Sequence, residues 1–313
     1  MNSNPSENCP FPYENPRIFV RDCVSPENCG FTMSSGLRNS LTLLKTRMKS
    51  TRYLYEKVEV EHSLLFALLD RRREEALFWT YELYFSGFEQ DLEKWLRWVY
   101  YTFYAQQNTL FTELFEIHLS RLHTLPIPEE RDCLFGTIVS NLAHRAYTIQ
   151  PFTLEYLKMD IPRLPIEVNN HPFLIRFCPR DLAPYQTVDV SSIRAFHYLR
   201  AVSRFPIRKN DSLFLQKVFP VLDDDLSFDG DWVQFITETP YWQKILREYP
   251  TFVPQTATFD SEDETDEFYT KYGFDPEEQP AEVKIAHGAD VRWAGIFSPI
   301  SPETFHSRYS ENP

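Results

Sequence analysis

The sequence predicts a mainly α-helical fold: a multi-helix array with a small mixed α/β middle segment and extended termini. Apolar residues recur at helical spacing from about residue 34 to residue 150, which is typical of amphipathic and buried helices. Aromatic residues make up 16% of the 313 residues, whereas glycines number only 8. The pattern divides the chain into four parts: an extended arm (1–33), a helical body (34–150), a mixed and helical second part (151–255), and an acidic linker with an extended tail (256–313).

The helical body begins with a proline-free stretch over residues 34–60, which predicts one long helix. A second helix follows at "EHSLLFALL", where Leu64, Ala67 and Leu68 keep helical spacing. The polar run over residues 70–75 separates it from the next helix.

The stretch "ALFWTYELYFSGF" carries apolar and aromatic residues on two sides of one predicted helix. Its two stripes are Ala76, Trp79 and Leu83, and Leu77, Tyr81 and Tyr84. A helix that is apolar on two sides is buried between neighbours. We therefore predict that these aromatic side chains form a core. A stacking platform for nucleobases would instead need exposed rings among basic residues.

A glycine and a new apolar stripe mark the next helix. Gly87 stands where the C′ residue of a helix stands, and Asp91 can complement the dipole in the first turn of the helix that follows. Glu93 and Arg97 are spaced to pair at i, i+4 on the outer side. The predicted inner stripe consists of Leu92, Trp95, Leu96, Val99 and Phe103.

Two more helices are predicted, one before Pro126 and one before Pro151. After them the composition of the sequence changes. Residues 151–190 are rich in proline and contain short β-like runs such as "FLIRF", which predict a linker or a small β element. Helical patterns return from Ser191, with a break at Pro240.

The sequence lacks the motifs of several common chemistries. It contains no glycine-rich motif for dinucleotides or phosphates, no nucleophile elbow and no kinase motif. No apolar run approaches the ~20 residues of a membrane span, and the N-terminus has no apolar signal core, so we expect a soluble, intracellular protein. The scattered cysteines favour reduced thiols over disulfides; they are Cys9, Cys23, Cys29, Cys133 and Cys178.

Two short stretches resemble parts of metal sites, and neither is complete. Residues from Asp225 resemble the first half of a calcium loop, but Ile236 stands where a bidentate Glu is required, which favours an acidic turn. Glu282 and Lys284 match part of a nuclease pattern in which carboxylates hold Mg²⁺ and a Lys assists the water. No long strand pattern surrounds them. We therefore predict no catalytic, cofactor-binding or metal site.

The net charge of −13 is concentrated in one segment. Residues 221–280 hold 16 Asp and Glu against 3 Lys and Arg, whereas residues 1–220 are nearly balanced. Between residues 189 and 211 the chain has no acid but a cluster of basic residues. We call these residues the basic face: Arg194, His197, Arg200, Arg204, Arg208 and Lys209. Three interpretations stay open: it meets nucleic-acid phosphates, it docks the chain's own acidic segment 223–231 or 260–267, or it is an ordinary solvated face.

A block of seven residues within 71–105 carries a family resemblance. It consists of Ala76, Phe78, Trp79, Glu82, Leu83, Ser86 and Gly87. This block resembles one in uncharacterised helical proteins of large nucleocytoplasmic DNA viruses. It is also similar to the helical collar of clamp-loader ATPases, whose ATPase motifs are absent here. The resemblance implies a helical viral protein and no catalytic residues.

These observations lead us to expect a non-enzymatic helical interaction or scaffold protein of a large DNA virus, located in the host cytoplasm or the virion. We expect proteins as its partners and no cofactor. The alternative is an accessory factor of replication or transcription that binds nucleic acid through the basic face. A metal-dependent, nuclease-like hydrolase is the third hypothesis.

Overall fold

Helices form most of the regular structure in the computed structural model, as the sequence predicts. The structure describes residues 49–126, 128–170, 174–186, 205, 207–208, 214–215, 233–272 and 300–310, all within one unit that spans Arg47–Pro313. The predicted arm, the start of the first predicted helix and the three N-terminal cysteines lie outside these residues. The α-helices are α1 (Lys57–Leu69), α2 (Arg73–Phe85), α3 (Glu89–Val99), α4 (Thr109–Leu122), α5 (Pro128–Leu142), α6 (Gln150–Glu155), α7 (Pro179–Leu182), α8 (Val233–Ile236), α9 (Pro240–Leu246), α10 (Glu262–Tyr272) and α11 (Pro302–Ser310). They are joined by a π-helical segment (Tyr100–Tyr104), a 3₁₀ turn (Ala183–Tyr185) and the strands β1 (Phe252–Val253) and β2 (Thr258–Phe259).

The residues just before α1 form a turn. Segment 50–56 is closed by an antiparallel bridge between its ends, and Leu54 has a φ of 65°. The prediction of one helix over 34–60 is therefore wrong here. The reason is tertiary: the backbone N–H of Tyr53 donates to the Glu82 carboxylate at 3.1 Å, and this long-range hydrogen bond competes with a local helical one.

The two aromatic stripes of α2 are buried except at Tyr84, which is partly buried against the core, and this confirms the prediction made from their spacing. Trp79 and Tyr81 lie on different stripes and are both fully buried. The helix packs against α1 on one side and α5 on another. Tyr81 stacks against Tyr185 with ring centroids 5.2 Å apart, and its hydroxyl donates to the Asp132 carbonyl at 2.8 Å.

Gly87 ends α2 in the left-handed region, with a φ of 88°, as predicted for a C′ residue. Its N–H donates to the Tyr84 carbonyl at 2.9 Å. A Cβ atom at this position would lie 2.6 Å from the Cβ of Pro240, the first residue of α9. Glycine is therefore required both by the backbone conformation and by the close approach of α9.

Of the two alternatives predicted for the middle segment, a linker or a small β element, the β element is wrong for residues 174–177, which form no strand, and the linker agrees with the structure there. Asn141 of α5 takes the place of a strand partner. Its side-chain amide donates to the Ile175 carbonyl at 2.8 Å, and its side-chain oxygen accepts from the Ile175 N–H at 3.0 Å. The antiparallel pair β1–β2 lies further along the chain, where Phe252 pairs with Phe259.

The predicted acidic linker and extended tail both contain helices. The acids at the start of α10 complement its dipole, and Phe268 and Tyr272 are buried in a second apolar cluster with Trp242 and Tyr249. In the tail, α11 buries two aromatic residues against the main cluster. The linker and tail interpretation of 256–313 is therefore corrected at both helices.

Candidate functional site

Arg208 is the member of the basic face that the structure describes. Its side chain is 8% exposed, and its Nε and one terminal nitrogen donate to the two Glu75 carboxylate oxygens at 2.7 and 2.6 Å. Its other terminal nitrogen pairs with Asp70. Burial lowers the pKa of the guanidinium, but Glu75 and Asp70 outweigh it and raise the pKa above its usual range. Arg194, His197, Arg200, Arg204 and Lys209 lie outside the described residues.

Asp70 is the centre of a larger polar cluster. A terminal nitrogen of Arg308 lies 3.2 Å from both Asp70 oxygens, and the Tyr309 hydroxyl donates to one of them at 3.0 Å. We call Asp70, Glu75, Arg208, Arg308 and Tyr309 the Asp70 cluster. Arg208 thus docks on acids of its own chain at the α1–α2 corner, and the acidic segment 223–231 considered from the sequence lies outside the described residues.

A second buried ion pair lies at the other end of α2. The Nε of Arg52 donates to Glu82 at 3.0 Å, and both side chains are almost fully buried. Burial raises the pKa of Glu82, whereas Arg52 and the Tyr53 N–H oppose this rise. The backbone N–H of Arg52 donates to the Ser86 hydroxyl at 2.7 Å. Glu82 and Ser86, two polar residues of the seven-residue block, therefore hold the turn before α1 against α2.

Exposed apolar side chains are concentrated around α4. Within the described ranges, the large hydrophobic residues that are exposed all fall between residues 101 and 168: Tyr101, Leu110, Ile117, Leu164 and Val168. Leu110 is 77% exposed. Leu110 and Ile117 are seven residues apart and so share one face of α4. We call Tyr101, Leu110, Ile117 and Val168 the α4 patch.

The π-helical segment directs Tyr101 outwards. Tyr100, one residue earlier, is buried and stacks on Phe115 of α4, with ring centroids 4.0 Å apart. The Tyr101 hydroxyl donates to Glu116 at 2.9 Å and so holds the ring beside α4. Short π-helical segments are rare and occur frequently at functional sites.

The extended segment after α6 adds Val168 to the patch. The Asn170 side-chain oxygen accepts from the Leu110 N–H at 3.0 Å, near the start of α4. The Asn169 N–H donates to the Gln107 carbonyl at 2.7 Å. These two bonds fix Val168 near the first turn of α4, although almost sixty residues separate it from Leu110.

Paired charges border the α4 patch. Arg97 bridges α3 and α4 by binding Glu93 at 3.1 Å and also pairing with Glu116. The Glu93–Arg97 pair is the one predicted from the sequence. His123 lies 2.9 Å from the other oxygen of Glu93. The exposed Glu113 lies between Leu110 and Ile117 on the same face of α4, so apolar and charged side chains are mixed along it. Protein-binding surfaces combine apolar and polar residues in this way.

The two metal-like stretches fall almost entirely outside the part of the chain that the structure describes. No group of three metal-ligating side chains occurs within the described ranges. Ile236 is buried in α8, while residues 225–230, Glu282 and Lys284 lie outside. A cleft of about 300 Å³ at the start of α3 is lined by residues that include Lys49, Glu89 and Asp91.

No helix in the described ranges has the length and apolar composition needed to cross a membrane. Comparison with known proteins gives no further guide. No protein-family model, curated protein sequence or solved structure matches the chain. What the chain does has to be inferred from its own residues.

Proposed function

We propose that this chain is a non-enzymatic helical scaffold that binds another protein through the α4 patch. The observation that carries the proposal is the clustering of exposed large hydrophobic residues within 101–168, four of them at this patch. Contiguous exposed apolar patches with polar rims mark interaction sites in soluble proteins.

The geometry of the patch favours an amphipathic helix of the partner. Leu110 and Ile117 are two helical turns apart, roughly 10 Å along the axis, which suits a partner helix lying alongside α4 with apolar residues at i, i+3, i+4 and i+7. Fully burying a Leu or Ile side chain contributes about 1.5–3 kcal/mol. Leu110 has most of this contribution still to gain, because it is 77% exposed.

We also propose that the chain is one of the helical proteins of large DNA viruses, located in the host cytoplasm or the virion. Support for this part comes from the block that includes Trp79, Glu82 and Gly87. The structure gives these residues roles in packing, ion pairing and a helix end, which agrees with a helical scaffold and assigns them no chemistry.

Nucleic-acid binding through the basic face is the alternative proposal. Arg208 weakens it, because two carboxylates of the same chain neutralise this guanidinium. Binding would have to depend on the remaining basic residues, and duplex affinity would then fall steeply with salt.

The test compares three tagged full-length proteins: wild type, Leu110→Ser/Ile117→Ser, and Leu164→Ser. The last is a matched control, since it also replaces an exposed leucine but lies outside the patch. Proteins captured from lysate with and without nuclease treatment are quantified by mass spectrometry, and a partner that is captured from the treated lysate is then purified and titrated by calorimetry. We expect the double variant to bind the partner at least about tenfold more weakly, with Leu164→Ser unchanged.

Two outcomes would count against the scaffold proposal. Equal binding of the partner by wild type and the double variant would show that the α4 patch is not the binding surface. Loss of all captured proteins after nuclease treatment would favour the nucleic-acid alternative.

A further inference from the structure

The helix α11 sits in an aromatic groove of the helical body. Phe305 is fully buried, and its ring lies 5.9 Å from Phe66 of α1, 5.6 Å from Phe152 of α6 and 5.1 Å from Phe214. Tyr309, one turn later, lies 6.1 Å from Phe66. Three segments that are distant in sequence thus surround two side chains of α11.

Polar contacts fix the end of α11. Tyr309 and Arg308 both bind Asp70, at 3.0 and 3.2 Å. The hydroxyl of a buried tyrosine needs such a partner, and here the partner lies at one end of the apolar groove. The groove therefore offers an apolar site for one ring, a second site with a carboxylate for a tyrosine, and room for a cation beside it.

The rest of α11 makes a small contribution to docking. Glu303, Thr304 and Ser307 are exposed, so one face carries the aromatic anchors and the other faces solvent. A helix of nine residues is too short to be stable alone in water. Docking in the groove is therefore what maintains this helix, and its anchors lie four residues apart, which is the spacing of a helix-in-groove ligand.

We infer that the groove formed by Phe66, Phe152, Phe214 and Asp70 is a helix-binding site. Its occupant in this chain is α11, and the partner it fits is a protein helix with two aromatic residues four positions apart, the second a tyrosine preceded by arginine. Such a helix displaces α11 from the groove. The groove is a different surface from the α4 patch, so this inference can be refuted without refuting the proposed function.

The experiment measures binding of a fluorescein-labelled peptide of residues 300–313 to the full-length chain by anisotropy. In wild type α11 occupies the groove at high effective concentration, so the peptide binds weakly. In the full-length Phe305→Ala/Tyr309→Ala variant the groove is vacated, and we expect binding at least about tenfold tighter. Circular dichroism confirms that the variant is folded.

A second full-length variant and a control peptide complete the experiment. Arg308→Glu places a carboxylate against Asp70 and loosens α11 while retaining both rings; it should also bind the peptide more tightly than wild type does. A peptide with alanine at positions 305 and 309 should bind neither variant. No saturable binding to either folded variant overturns the inference. Equal binding to wild type and variants does so too, because the peptide would then use another surface.

Discussion

The buried His62 should make the stability of the protein depend on pH, and this can be worked out from one side chain. His62 lies on α1, is 2% exposed and has its ring 6.3 Å from that of Trp95. Burial lowers its pKa from 6.5 to about 4, because the charged imidazolium is desolvated. The folded protein therefore keeps His62 neutral at a pH where the unfolded chain binds a proton.

The sign and size of the effect follow from proton linkage. Because the folded pKa lies below the unfolded one, the unfolded state binds more protons as the pH falls, and stability is lost from about pH 6.5 down to about pH 4. The full difference of about 2.5 pKa units corresponds to about 3.4 kcal/mol. Between pH 7 and pH 5 the expected loss from His62 alone is about 1.8 kcal/mol.

The assay measures the free energy of unfolding in urea at pH 7 and pH 5 for wild type and His62→Phe. Phe keeps a planar ring and cannot be protonated, so the variant should lose about 1.8 kcal/mol less than wild type over this interval. The change between the two pH values is calculated for each protein, and the two changes are then compared. This comparison cancels the contributions of other titrating groups and any change in packing that does not depend on pH. His144→Gln, which removes an exposed histidine, is the control. An identical pH dependence in His62→Phe and wild type would refute the argument.

Two further substitutions test the polar and backbone features of the fold by urea denaturation. Gly87→Ala should destabilise by at least about 1 kcal/mol, because φ is 88° and the new methyl group would meet Pro240; a cost below about 0.5 kcal/mol would contradict the need for glycine. Arg208→Met should cost up to about 3–5 kcal/mol by removing the guanidinium that binds both Asp70 and Glu75, with Arg308 still on Asp70 and Arg72 still 3.6 Å from Glu75. Adding Glu75→Gln should recover part of that loss, and an undiminished cost would show that charge is not the cause.

Local periodicity predicted the elements whose structure is decided locally. The stripes around Trp79 and Tyr81 are buried, Gly87 ends its helix, and Glu93 pairs with Arg97, because each depends on residues within about one turn. A break was predicted at Pro240, and a new helix begins there. The mainly helical fold could therefore be predicted from the sequence.

The errors occur where distant residues satisfy the backbone. Tyr53 binds Glu82 instead of continuing a helix, and Ile175 binds the side chain of Asn141 instead of a neighbouring strand. In α10, Phe268 and Tyr272 fall four residues apart within an acidic stretch whose composition suggested a linker. The high content of acidic residues favoured a linker. The spacing of these two aromatic residues could have indicated a short amphipathic helix.

The α4 patch was missed, although part of its signal is in the sequence. Phe111, Phe115 and Leu122 already form one apolar stripe on α4, so Leu110 and Ile117 are left on another face. The spacing of Leu110 and Ile117 could therefore have indicated that their side chains lie outside the core. The contribution of Val168 could not be predicted, since it depends on the contact between Asn170 and the first turn of α4.

In the described part of the chain, acids at the ends of α1 and α2 are paired with arginines. Asp70, Glu75 and Glu82 lie at or near the ends of α1 and α2, and each is engaged by an arginine of the same chain. Buried ion pairs of this kind select which segments dock, with little net gain in stability. These arginines are thus committed to internal docking. Leu110 and Ile117 contribute little to the core, because they are 77% and 45% exposed. We therefore keep the α4 patch, and not these arginines, as the proposed partner-binding surface.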